Sequence, residues 1–229
     1  MSGFKFRIFY KVAGRLKFLS HKELMRVIVR AFRRARIPME YSKGYHPHPL
    51  FSFGPSLPVG MAGTSEQLDA RLTEEWAELK LKKKISENLP EGMEIVKVKS
   101  VPLKEPSITS KVTSAVYEID WPEESGAPGN FIASMLSLDK IEIERKTGKG
   151  NKKIDLRPGI YDIRWKHSKL EMHLALSPSL HVRPSEVLSI MTGWADDAIK
   201  RISITRTGLM TTPKDAGIIL RKDETRNYY

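Results

Sequence analysis

The stretch Phe4-Lys5-Phe6-Arg7-Ile8-Phe9-Tyr10-Lys11-Val12 opens the fold, because apolar and basic residues alternate along it except at Phe9. Phe4, Phe6, Ile8, Tyr10 and Val12 alternate with Lys5, Arg7 and Lys11, the period of two that a half-buried strand requires. The first element is therefore expected to be a strand with one apolar and one basic face. Beyond it, Ser20 followed by Glu23 forms a capping box, in which the serine oxygen takes an orphan backbone N–H and the glutamate reaches back to the cap. The spacing predicts a helix from about His21, with Leu24, Val27, Ile28, Ala31 and Ala35 as its core stripe and Lys22, Arg26, Arg30 and Arg33 on a different face. Pro38 stops it.

The segment Tyr41-Ser42-Lys43-Gly44-Tyr45-His46-Pro47-His48-Pro49 is too rich in Pro and Gly to be regular, and Leu50 to Phe53 then reads as a short strand. A weaker strand over Gln67 to Leu72, a helix from Glu74 to Asn88 and a strand from Met93 to Val101 complete the order β-α-β-β-α-β, the ferredoxin-like arrangement. The second half follows the same order. It reads as a strand Ser114 to Trp121, a helix Asn130 to Leu138, strands near Ile141 to Arg145 and Ile160 to Leu176, a helix Pro184 to Ala198 and a strand Ile202 to Leu209. The expected class is α+β with two tandem ferredoxin-like units: an N-terminal domain over 1–104 with a basic face, a C-terminal domain over 111–210 and a polar tail over 211–229. Pro102 to Lys111 is the expected linker.

Composition narrows the chemistry. A chain of 229 residues has room for one domain or two small ones. The absence of cysteine excludes disulfides, thiolate zinc sites, iron–sulfur clusters and cysteine nucleophiles, so no cofactor is expected on this chain and any redox chemistry must come from a partner. No run approaches the roughly 20 apolar residues of a membrane helix, and the start has no secretory pattern, so a cytoplasmic protein with no membrane partner is expected. The formal net charge of +12 is unevenly distributed. Residues 1–50 hold 12 Lys and Arg against 2 Asp and Glu, which points to RNA or another polyanion as the ligand of the N-terminal third.

Three segments could carry that contact. The helix face Lys22, Arg26, Arg30 and Arg33 offers about one cation per turn, a spacing suited to successive phosphates, with Lys5 and Arg7 added from the first strand. In the loop, Lys43, Tyr45, His46 and His48 combine a cation, an aromatic ring and imidazoles, which suits stacking on unpaired bases; a purely structural loop with Tyr45 packed on the core is the alternative. His46 and His48 lack a third ligand nearby, so no metal site is expected. The stretch from Lys146 to Arg157, including Lys149, does not fit a phosphate-binding Walker pattern; it reads as a basic hairpin turn or an accessory nucleic-acid contact, with Asp155 and Arg157 pairing or orienting it.

Leu19-Ser20-His21, Arg33-Arg34-Ala35, the segment from Tyr41 to Pro49, Ser52-Phe53 and Leu57-Pro58-Val59-Gly60 together resemble the radical SAM-linked protein family, densely over residues 4–72. Ile154-Asp155-Leu156-Arg157-Pro158 resembles a second family segment. In many members this domain is fused to, or encoded beside, a radical SAM protein with a cobalamin-type domain. The resemblance implies a partner that carries the iron–sulfur cluster and a substrate-handling role for this chain. The family loop often reads Ser-Gln-Gly-Phe where this chain has Ser42-Lys43-Gly44-Tyr45, a more basic version.

The expectation is a non-catalytic RNA-binding or substrate-presenting accessory protein for a radical SAM enzyme, in RNA modification. Two rivals stand beside it. One is a metal-independent endoribonuclease using His21, His46 or His48 as acid and base, since imidazole titrates near neutral pH. The other is a protein-binding scaffold whose positive face meets an acidic partner.

Overall fold

The structure, a computed structural model, describes residues 3–148 and 150–211. It is an α+β protein whose chain divides into two compact units, one over Met1–Val112 and the other beginning at Thr113.

In the first unit, β1 (Phe4–Val12) is followed by α1 (His21–Arg34), β2 (Phe51–Phe53), β3 (Ala62–Leu72), α2 (Glu78–Ser86), β4 (Met93–Val101) and a single helical turn, α3 (Ile108–Lys111). The strands lie in the order β4-β1-β3-β2, and every neighbouring pair is antiparallel. β1 is thus a central strand, and it is buried on both faces. Phe6, Ile8 and Val12 are fully buried on one side, while Lys5 and Arg7, expected on an open basic face, are also withdrawn from water. The cause is the segment 102–111. Expected as a linker, it packs within this unit, and Ile108 is buried.

α1 begins where its cap predicts. The Glu23 carboxylate accepts the Ser20 N–H at 2.8 Å, and the Ser20 hydroxyl accepts the Glu23 N–H at 3.4 Å. Leu24, Ile28 and Ala31 are buried as expected and Phe32 joins them, whereas Val27 and Ala35 stay half-exposed at the edge of the stripe. Arg36, with φ of +53°, turns the chain out of the helix two residues before Pro38. α2 is shorter than its expected span, because Leu81 and Ile85 are its only buried residues and anchor little more than two turns.

The second unit contains β5 (Ser114–Asp120), α4 (Gly129–Leu136), β6 (Glu142–Thr147), β7 (Gly150–Asp155), β8 (Ile160–Lys166), β9 (Lys169–Ala175), α5 (Pro184–Thr192), α6 (Asp196–Arg201) and β10 (Ile204–Met210). Its main strands run β10-β5-β9-β8, again all antiparallel, so its fourth, first, third and second main strands repeat the spatial order of the first unit. β6 and β7 pair with each other as a hairpin inserted in the first crossover.

Two expected elements are divided here. The single strand expected over Ile160 to Leu176 is a hairpin, reversed at His167 and Ser168, whose φ angles of +47° and +59° are the left-handed pair that a two-residue turn needs. The helix expected over Pro184 to Ala198 is broken into α5 and α6 at Gly193, which is left-handed with φ of +70°.

A candidate nucleic-acid interface

Asp69 decides which cations of the first unit face solvent. It lies on β3 opposite Arg7 on β1, and its carboxylate accepts from Arg7 Nε at 2.8 Å and from Arg7 Nη2 at 3.1 Å. Lys5 Nζ lies 3.2 Å from the same carboxylate, and the Ile108 N–H donates to it at 3.0 Å. The two cations also donate to backbone carbonyls of the covering segment, Lys5 to Glu105 at 2.6 Å and Arg7 to Pro106 at 3.1 Å. The hydrogen bond to Asp69 holds the Arg7 guanidinium above its ordinary pKa, against the opposing effect of burial. Lys5 and Arg7 therefore bind the protein's own chain and leave the expected ligand-binding set. Lys11 is tied to Glu94 at 3.2 Å at the surface.

The face of α1 is different. Lys22, Arg26, Arg30 and Arg33 are all exposed, and among the described residues no carboxylate lies within ion-pair distance of any of them. They surround half-exposed Met25 and Val29 and line a shallow depression of about 440 Å³. Helical spacing puts these positions on the side opposite Leu24, Ile28 and Ala31, so burying the core stripe forces the cations outward. Cations held in no ion pair attract an anionic chain without first releasing a bonded carboxylate, although the charge of Glu23, on the same helix, acts on Arg26.

The loop 41–49 projects from the start of β2. Its base is closed by a bridge between Tyr41 and Pro49, and the Ser42 N–H donates to the His48 carbonyl at 2.9 Å. The Ser42 hydroxyl accepts the His48 N–H at 3.1 Å and lies 2.9 Å from His48 Nδ1. Ser42 and His48 thus clamp the loop, a role that sequence reading missed because it depends on two residues meeting across a turn. Gly44 provides the left-handed backbone, with φ of +128°. Tyr45 is fully exposed, so the alternative of a core-packed tyrosine is excluded. Lys43 and His46 are exposed beside it. His21, at the start of α1, lies edge-on to Phe53 with ring centroids 5.9 Å apart. Among the described residues no three His, Asp or Glu side chains gather as metal ligands would.

In the second unit Arg157, expected as an accessory contact, is half-exposed and engages the protein's own backbone. Its guanidinium donates to the carbonyls of Leu138 at 2.8 Å, Leu136 at 3.2 Å and Ile160 at 3.2 Å, so it caps the C-terminal end of α4. Asp155 accepts the Ile141 N–H at 2.9 Å and the Arg157 N–H at 3.0 Å, and those bonds hold its carboxyl below the usual range. The two residues orient the turn through the backbone. Arg145 ties the β6–β7 hairpin to α5 through a two-pronged bond to Glu186, at 2.7 and 2.5 Å. Lys149 and the expected tail from 212 onward lie outside the described residues.

Fold and site together define an α+β protein that gathers unpaired cations on one helix and projects an aromatic loop next to that helix in sequence. A family model described as an uncharacterized protein conserved in bacteria (DUF2344) matches residues 5–184, and the chain belongs to that family. No curated protein matches it. No helix among the described residues is long and apolar enough to cross a membrane.

Proposed function

We propose that this protein is a non-catalytic RNA-binding or substrate-presenting accessory subunit of a cytoplasmic radical SAM enzyme, acting in RNA modification. The observation that carries the reading is the row Lys22, Arg26, Arg30 and Arg33, exposed and, among the described residues, beyond ion-pair distance of any carboxylate. Phosphate contacts supply most of the affinity of such a surface, and an exposed aromatic such as Tyr45 supplies contacts to unpaired bases. We read the two units as ferredoxin-like modules of which the first binds the ligand.

The radical SAM partner rests on the resemblance of residues 4–72 to the radical SAM-linked family and on the lack of any cysteine to hold a cluster here. Histidine-based cleavage is less well supported, because His48 Nδ1 is engaged by the Ser42 hydroxyl in clamping the loop.

The test is the salt dependence of binding to labelled single-stranded RNA, followed by fluorescence anisotropy. The logarithm of affinity should fall linearly with the logarithm of salt, by about 0.7 per phosphate contacted. Arg26→Ala combined with Arg30→Ala should flatten the slope by about one to two units, and an unchanged slope would remove α1 from the interface.

A further inference from the structure

Phe18 ends the short 3-10 turn Gly14–Phe18 between β1 and α1, and its side chain is 63% exposed. The backbone beneath it is fixed: the Gly60 N–H donates to the Lys17 carbonyl at 2.7 Å and the Leu19 N–H to the Leu16 carbonyl at 3.1 Å. Val59, next to Gly60, is 64% exposed. The Lys17 ammonium lies 5.3 Å from the centre of the Phe18 ring. From residue 13 to residue 22 the chain carries Arg15, Lys17 and Lys22 and no acid. An open aromatic ring on a rigid turn, with cations beside it, has the makeup of a base-stacking platform.

Its place in the fold adds the second half of the argument. β1 and β2 are both antiparallel to β3, so they run in the same direction. Phe18 therefore stands at the end of the unit where β1 finishes, while the loop 41–49, which leads into β2, stands at the opposite end. α1 bridges the two, with His21 against Phe53 near one end and Phe32 against Phe51, 4.9 Å between ring centroids, toward the other.

We propose that Phe18 is a second base-stacking position, and that the ligand is single-stranded RNA laid along α1 between Phe18 and Tyr45. This rests on the RNA reading above and specifies its substrate class. A duplex hides its base faces and would leave both rings without a partner, whereas a single strand can splay its bases onto them. The 14 residues of α1 span about 21 Å at ~1.5 Å per residue, the length of roughly six stacked nucleotides at ~3.4 Å each. An apolar protein segment is the competing occupant of the Phe18–Val59 surface. RNA is favoured because the surrounding charge is cationic and complements phosphate.

The experiment measures binding of labelled oligouridylates of graded length, and of a duplex RNA of equal charge, to the full chain and to its Phe18→Ala, Phe18→Leu and Phe18→Trp variants. Removing one stacked base should weaken single-strand binding by about 5- to 150-fold in Phe18→Ala and Phe18→Leu, with Phe18→Trp retaining affinity. All three should melt with the parent, since the ring is exposed. Affinity should rise with length up to about six nucleotides and exceed that for the duplex. Parent-like binding by Phe18→Ala would overturn the stacking role while leaving the RNA reading intact. Equal affinity for duplex would overturn the single-strand assignment. A parent protein that binds no RNA at low salt would overturn the RNA reading itself, and this inference with it.

Discussion

Arg7 and Asp69 face each other across the β1–β3 ladder in a two-pronged ion pair, with Nε 2.8 Å from Oδ1 and Nη2 3.1 Å from Oδ2. The Asp69 side chain is 2% exposed, and it also takes Lys5 and the Ile108 N–H. One acid thereby holds the segment 102–111 against the sheet and removes two cations from the surface.

Breaking this group should be expensive, because a buried cation left without its partner is not rehydrated. Asp69→Ala should lower the stability of the first unit by about 3–5 kcal/mol in urea denaturation. Lys11→Ala, which removes the exposed pair with Glu94, should cost less than about 1 kcal/mol. Equal effects from the two substitutions would contradict the burial of Asp69.

Tyr45 offers a cleaner separation of folding from binding. Because the ring is fully exposed, Tyr45→Ala should leave the melting temperature unchanged and weaken single-stranded RNA binding by about 1–3 kcal/mol. Tyr45→Phe keeps the planar face and should bind normally. A drop in melting temperature with normal affinity per folded molecule would refute the stacking role.

Arg157 should behave in the opposite way. Its guanidinium satisfies three carbonyls at the end of α4 and nearby. Arg157→Ala should therefore cost about 1–3 kcal/mol of stability while leaving the salt slope of RNA binding as it was. A flatter slope in a normally stable variant would return Arg157 to the interface.

The pH dependence of stability should carry the mark of His173. Burial pushes its imidazole below the ordinary value, the charge of Asp162 opposes this, and Arg164 reinforces it. Its Nε2 lies 2.8 Å from the Ser114 hydroxyl inside the second unit. With the folded pKa depressed, the unfolded chain takes up the proton first. Stability is complete above the ordinary imidazole pKa of about 6.5 and falls as pH drops from there toward the depressed folded value. His181 is shifted in the same direction, chiefly by burial, and adds to the slope. Urea midpoints between pH 7 and 5 should therefore fall less steeply in His173→Gln, and an unchanged slope in that variant would remove His173 from the pH dependence.

Elements that depend on neighbours in the chain were legible in the sequence. The capping box placed the start of α1, and the strand Met93–Val101 appears with the boundaries its pattern predicted. The loop 41–49 is irregular as its prolines and glycine required, and Tyr45 at its exposed face was a candidate from composition. The β8–β9 turn was not legible, because His167 and Ser168 carry no glycine or asparagine signal for left-handed backbone. The exposure of Phe18 was not legible either, since Leu16, Phe18 and Leu19 carry no local pattern that separates an open ring from a buried one.

By itself the sequence determined the absence of any thiolate site, the concentration of positive charge in residues 1–50 and the amphipathic pattern that turns four cations of α1 away from its core. Only the tertiary structure decided which cations remain available. Lys5 and Arg7 meet an acid on another strand, Asp69, which is 62 residues beyond Arg7, and Arg157 meets carbonyls from a helix about twenty residues earlier, with Leu136 21 residues away. The physical reason is that a charge is removed from water only when distant segments fold over it and supply its partners, and local periodicity contains no record of those partners.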